Sequence, residues 1–181
     1  QMCIRDSRIS IQTTTRINKI AGCINTADQG GYGWGRIYPN TYLLSLYDQA
    51  KDTRYNELFV HRFKYNDPTS PKYGELIPLA KSSSYCETLH FMSKKYFDQW
   101  TMADNPDRTT GFKDLIVYRL AETYLMAAEA YMRRDGGMST DALRCYNKTW
   151  ERAGNDKFAG PLTQDILLDE YALSLIHISE P

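Results

Sequence analysis

The stretch Asp114-Leu-Ile-Val-Tyr-Arg-Leu-Ala-Glu-Thr-Tyr-Leu-Met-Ala-Ala-Glu-Ala-Tyr-Met-Arg-Arg134 decides the fold. Val117, Leu120, Ala121, Tyr124, Ala128 and Tyr131 recur at helical spacing, which gathers them into one apolar stripe. Arg119, Glu122, Glu129 and Arg133 fall mostly on another face, and Glu129 precedes Arg133 by one helical turn, a favourable ion-pair arrangement. Ala121, Ala127, Ala128 and Ala130 carry little bulk, so a second helix can approach closely.

Downstream, Gly136-Gly137 is expected to end this helix, because glycine accepts left-handed φ without a Cβ clash. Ser139 or Thr140 then caps a second helix by accepting a backbone N–H bond. Ala142, Leu143, Tyr146, Thr149 or Trp150, and Ala153 make that helix amphipathic, and Gly154 closes it. Thr163 caps a third helix that opens Gln164-Asp-Ile-Leu-Leu-Asp-Glu170, with Asp165 near its positive end. Two antiparallel helices with small-residue contacts have the form of a tetratricopeptide-type hairpin. One hairpin cannot bury both its faces, so neighbouring elements are required.

Upstream the pattern changes. Arg8 to Gln29 is polar and Thr-rich and reads as a strand or irregular segment. Gly30-Gly-Tyr-Gly-Trp-Gly35 reads as a flexible loop bearing aromatics, its glycines lacking side-chain bulk and permitting positive φ. Thr41 to Ala50 suggests a short helix and Lys51-Asp-Thr-Arg-Tyr55 a turn. From Glu57 to Tyr65, Leu58, Val60, Arg62 and Lys64 oppose Phe59, His61, Phe63 and Tyr65, an alternation that predicts a strand. Asn66-Asp-Pro-Thr-Ser-Pro71 and Asp104-Asn-Pro-Asp-Arg-Thr-Thr-Gly111 are loops by composition. Residues 72–112 are mostly irregular, with a short element near Thr88 to Phe97. So much loop in a compact domain fits a binding face. The expected class is mainly α: a tetratricopeptide-like helical scaffold (114–172) with long irregular loops (30–112) and a few short strands.

The two ends read differently from the rest. Gln1-Met-Cys-Ile-Arg-Asp-Ser7 and Leu173-Ser-Leu-Ile-His-Ile-Ser-Glu-Pro181 translate opposite strands of a transposon-type sequencing adapter. The expectation is therefore that 1–7 and 173–181 are adapter-derived, that 8–172 is natural sequence, and that the gene is cut on both sides. Lys and Arg number 22, as do Asp and Glu, and omitting Arg5, Asp6 and Glu180 changes that balance by one positive charge. A near-neutral chain carries no electrostatic footprint for nucleic acid. No run approaches the roughly 20 apolar residues of a membrane span.

Cys3 falls in the first adapter. Cys23, Cys86 and Cys145 are widely spaced and odd in number, so buried thiols are expected rather than a disulfide framework. His61 and His90 have no zinc-ligand spacing around them. No nucleophile elbow, His-Glu-x-x-His or Walker loop is present. The glycine-rich run is no dinucleotide fingerprint, because Pro39 follows where a phosphate-binding helix would start. Catalytic residues, cofactors and metals are therefore not expected. Asp165 and Asp169 read as a solvated helix face.

Aromatics on loops are the better lead: the chain has 14 Tyr, 6 Phe and 3 Trp. A flat ring stacks on the apolar C–H face of a sugar, while Asn, Asp, Arg and Lys bind its hydroxyls. Tyr32, Trp34, Arg36 and Tyr38 form one candidate group, and Trp100 with Asp104, Asn105 and Arg108 a second. Trp34 can equally pack onto the domain surface. Trp150, at helical spacing, reads as packing.

Tyr118-Arg-Leu-Ala-Glu-Thr-Tyr-Leu125, Ala128-Glu-Ala130, Ala142-Leu143, Asn147 and Arg152-Ala-Gly154 together resemble the C-terminal part of the SusD/RagB proteins. Gly33-Trp-Gly-Arg-Ile-Tyr-Pro39, Tyr42-Leu-Leu44, Tyr47-Asp48, Asp52-Thr-Arg-Tyr55 and Lys94-Lys-Tyr-Phe-Asp98 extend the resemblance over residues 30 to about 172. Trp150 stands where many members carry Arg. The resemblance implies a non-enzymatic glycan-binding lipoprotein of Bacteroidetes-type bacteria, anchored by lipid at the outer membrane. It also implies a SusC-like TonB-dependent transporter as partner, with helices as scaffold and irregular insertions bearing the ligand. It assigns no ligand residue here. A generic helical-repeat interaction domain and part of a carbohydrate-active enzyme remain the alternative readings.

Overall fold

The computed structural model describes residues 14–78, 88–94, 97, 99–109 and 118–175. Its elements, in chain order, are α1 (Thr41–Leu46), α2 (Thr53–Leu58), β1 (Phe59–Val60), β2 (Met92–Ser93), α3 (Gln99–Asp104), α4 (Leu120–Asp135), α5 (Thr140–Trp150) and α6 (Gln164–Leu175). Short 3-10 turns occupy Ile17–Lys19, Ala27–Gln29 and Glu151–Ala153. The chain forms two compact units, one of residues 1–40 and 58–115 and one of residues 41–57 and 116–181.

The second unit is helical. In α4, Ala121, Leu125 and Ala128 are buried, and Tyr124, Ala127, Tyr131 and Met132 pack around them. The expected stripe holds at Ala121, Tyr124, Ala128 and Tyr131, but Leu125, which it omitted, is fully buried, whereas Leu120, which it included, is exposed. The helix also begins later than Asp114, because Arg119 is extended (φ −130°, ψ 147°). Val117 and Asp114 lie outside the described residues. Glu129 pairs with Arg133 at 2.6 Å as the spacing predicts, and Arg133 and Arg134 place positive charge in the last turn.

Gly136 ends α4 at φ +88°, its N–H bonding the Met132 carbonyl. Gly137 serves a different need: an added Cβ would sit 2.2 Å from the Leu162 carbonyl oxygen, and Leu162 N–H donates back to the Gly137 carbonyl at 2.9 Å. Ser139, not Thr140, caps α5, its hydroxyl accepting from Ala142 N–H. Ala142, Cys145, Tyr146, Asn147 and Thr149 are buried along α5. Trp150 stacks on Tyr146 (centroids 5.9 Å apart) and donates its Nε1–H to the Asp156 carbonyl. It is a packing residue, as expected. Asn147 holds the following segment through both amide atoms, donating to the Phe158 carbonyl and accepting from its N–H.

Gly154 closes this stretch in the left-handed region at φ +89°. Thr163 caps α6, accepting from Ile166 N–H at 3.3 Å. That helix packs against α4, α5 and α1 and continues to Leu175, past the expected boundary near 172. Its presence supplies the neighbour that a lone hairpin needs.

Residues 41–57, which the pattern grouped with the loop-rich part, belong to this helical unit. Of the turn expected at Lys51–Tyr55, Lys51 lies in a turn, whereas Thr53–Tyr55 form the start of α2. Asp52 caps it: its carboxylate accepts from Arg54 N–H, and its carbonyl from Tyr55 N–H. That helix consumes the first part of the strand expected over Glu57–Tyr65, leaving only Phe59–Val60 in β1.

The first unit is mostly irregular. β1 pairs antiparallel with β2, Phe59 opposite Ser93 and Val60 opposite Met92, and Lys64 forms an isolated bridge with Leu76. Its core gathers Ile17, Cys23, Phe63, Ile77, Leu89, Met92 and Phe97. Cys23 and Cys145 are buried free thiols; Cys3 and Cys86 lie outside the described residues. Burial pushes the Cys23 thiol above its ordinary pKa. No helix among the described residues is long and apolar enough to cross a membrane.

Candidate functional site

The glycine-rich segment is built on alternation. Gly31, Gly33 and Gly35 are buried, while Tyr32 and Trp34 are half-buried and Arg36 is exposed. A Cβ on Gly31 would meet Met102 Sδ at 2.6 Å, and one on Gly33 would meet the Thr14 and Thr15 carbonyl oxygens at 2.3 Å. Gly35 N–H donates to the Thr14 carbonyl at 2.8 Å. The glycines therefore let this backbone lie close against its support, while Tyr32 and Trp34 between them remain half-buried. The segment is a loop, as expected, and its backbone is a platform seated against Thr14 and Thr15. Gly30, Gly31 and Gly35 also use positive φ (+86°, +72° and +60°).

On that platform Arg36 lies over the Trp34 ring, its guanidinium carbon 4.8 Å from the centroid. Such a contact contributes about 0.5–1 kcal/mol at an exposed site. It sets the guanidinium donors of Arg36 above one face of the Trp34 ring. Tyr38 is set apart, its ring 5.2 Å from the ring of the buried His90.

Trp100 is not on a loop but in α3, where it is 90% exposed. The same helix carries Met102, which packs under Gly31, so both candidate groups stand on neighbouring elements. Asn105 is used locally, its side chain accepting from Asp107 N–H to fix a turn. Asp107 in turn accepts from Asn25 at 2.6 Å. Asp104 is exposed at the end of α3.

A cleft of about 380 Å³ opens elsewhere in the same unit. Phe59 and Val60 form its apolar wall; Arg62, Lys64, Lys94, His61, Asp28 and Gln29 supply its polar lining. None of these was singled out from sequence. A signal existed: Arg62 and Lys64 share one face of the alternating run, although Lys94 and Gln29 arrive from distant segments. His61 stacks on Phe91 at 5.5 Å. Burial, and then the charge of Arg62, push its pKa below the ordinary 6.5.

The helical unit has a polar centre of its own. Arg54 forms a forked pair with Asp52, with Nε–Oδ1 at 3.0 Å and Nη2–Oδ2 at 2.7 Å. Its Nη1 reaches Glu170 Oε1 at 2.9 Å, and Asn155 donates to Asp52 Oδ2 at 3.0 Å. Asp52 and Glu170 are 1% and 0% exposed. Burial disfavours the Arg54 charge, but Asp52 and Glu170 outweigh it and hold the guanidinium above its already high value. Sealed in this way, the cluster is scaffold rather than a reactive centre. Asp169 differs from expectation too: it accepts from the Tyr42 hydroxyl at 2.6 Å and is not simply solvated. No group of three or more His, Cys, Asp or Glu positioned for a metal occurs among the described residues.

A helical scaffold of packed hairpins, joined in one chain to a loop-rich unit with a seated aromatic platform, is the class that these features define. The SusD family model matches residues 1–175, so the chain belongs to the SusD family. It is similar to the crystal structure of a SusD superfamily protein from Parabacteroides distasonis, with TM-score 0.66 at 20% identity. That match covers 98% of this chain and 35% of the other, so the chain spans about a third of the length of its structural relative. No curated protein matches it.

Proposed function

We propose that this chain is part of a cell-surface lipoprotein that captures glycans and passes them to a SusC-like TonB-dependent transporter. It works by binding, not by catalysis, and is held at the outer membrane by a lipid anchor. Membership of the SusD family supports the reading. The observation that carries it is the Trp34–Arg36 stack on a backbone pressed against Thr14 and Thr15. Fixing the platform before binding lowers the ordering cost of capture. The part of the Trp34 ring that Arg36 leaves open would take a sugar's C–H face, and the guanidinium its hydroxyls. Tyr32 and Tyr38 flank this stack in sequence, and the exposed Trp100 offers a second ring on α3.

The test is Trp34→Ala in the full-length protein carrying this chain. Retention on glycan-containing native gels should weaken about tenfold, the loss of one anchoring aromatic. Unchanged retention would remove Trp34 from the ligand site. Failure to retain any glycan in the unsubstituted protein would reject the capture function itself.

A further inference from the structure

We infer that the cleft between β1 and the Ala27–Gln29 turn binds an acidic saccharide, one bearing carboxylate or sulfate beside free hydroxyls. The inference rests on the glycan-capture reading and narrows its ligand class. Among the described residues that line it, three cations, Arg62, Lys64 and Lys94, accompany one carboxylate, Asp28. Arg62, Lys64 and Lys94 are exposed, and none forms an ion pair among the described residues. Among the described residues, no ion pair compensates this surplus positive charge. Its field is felt at His61, whose protonation Arg62 and Lys94 both oppose.

The rest of the lining distinguishes a sugar from a bare anion. Phe59 and Val60 give an apolar wall, which a sulfate or phosphate ion cannot use. Asp28, which is exposed, offers two acceptor oxygens to the cleft. Sulfate brings only acceptors; a sugar acid brings hydroxyl donors for Asp28 and a negative group for the cations. The volume, about 380 Å³, lies within the roughly 300–1,000 Å³ of small-molecule sites. Charge–charge contacts to exposed Lys and Arg weaken with salt, so binding should as well.

The experiment is calorimetric titration of the full-length protein with matched neutral, uronate-containing and sulfated oligosaccharides. Sodium sulfate and anionic phospholipid vesicles are titrated alongside. At least one acidic oligosaccharide should bind, more weakly as salt rises. Lys64→Gln combined with Lys94→Gln should weaken it about tenfold or more and leave any neutral-glycan binding unchanged. Arg62→Gln should act in the same direction. Near-identical circular dichroism of the variants would show that the fold is intact, as expected for exposed side chains. The inference is overturned if acidic binding survives the double substitution, or if sulfate or vesicles bind as tightly as the acidic sugar. Neutral binding alone overturns the inference but leaves glycan capture standing. Binding of no oligosaccharide overturns both.

Discussion

Gly137 has to be glycine because there is no room for anything else, since a β-carbon would stand 2.2 Å from the Leu162 carbonyl oxygen. Backbone cannot retreat as a flexible side chain can, so Gly137→Ala should cost about 1–3 kcal/mol, the range for overpacking. Urea denaturation would read this as a lowered midpoint; an unchanged midpoint would mean the turn re-forms elsewhere. His61 provides a second residue-scale prediction. Its folded pKa lies below 6.5 because burial and neighbouring cations disfavour the charged ring. The unfolded chain then takes up this proton first as pH falls. The native state holds its full advantage above pH 6.5 and loses it below. The His61 ring proton should titrate by NMR with a midpoint under 6.5. Arg62→Gln should raise that midpoint, and a wild-type midpoint at or above 6.5 would contradict the geometry.

At the scale of elements, the caps carry the helix boundaries. Ser139 accepts the Ala142 N–H that α5 cannot satisfy internally. Ser139→Ala should cost about 1 kcal/mol, lowering the thermal midpoint, while Thr140→Ala should leave it nearly unchanged. Equal effects would assign the cap wrongly. These boundaries were legible because Gly136, Ser139, Gly154 and Thr163 each state a local backbone need. The hairpin was legible too, through alanines spaced one turn apart. What failed to show was α2. Asp52 and Arg54 look like turn residues, and the alternation from Glu57 is the stronger local signal for a strand. A carboxylate that caps a helix and also accepts a forked guanidinium cannot be seen without the tertiary partners. Trp100 failed similarly: nothing local distinguishes the short α3 from a loop. The glycine-rich platform was half legible. Its aromatic side chains could be picked out, but the Thr14 and Thr15 carbonyls that its glycines accommodate could not be paired with it from sequence.

At the scale of the whole molecule, the helical unit is discontinuous: residues 41–57 join 116–181 across the intervening loop-rich part. The join is electrostatic at its centre. Arg54 meets Glu170 across 116 positions of sequence, deep in a region that excludes water. A buried pair is not strongly stabilising compared with apolar packing, but breaking it leaves a stranded charge. Arg54→Met strands two carboxylates, Asp52 and Glu170, and should cost about 3–5 kcal/mol. Glu170→Gln removes one of them and should be costly alone, because Arg54 loses half its counter-charge. The two changes together should cost less than their separate costs added, by about 0.5–3 kcal/mol, since the residues share one network. A double-mutant cycle by urea denaturation measures this difference directly. Strict additivity would show that Arg54 and Glu170 are not energetically coupled, and non-additivity would measure how much of the hold of α2 on α6 this one pair carries.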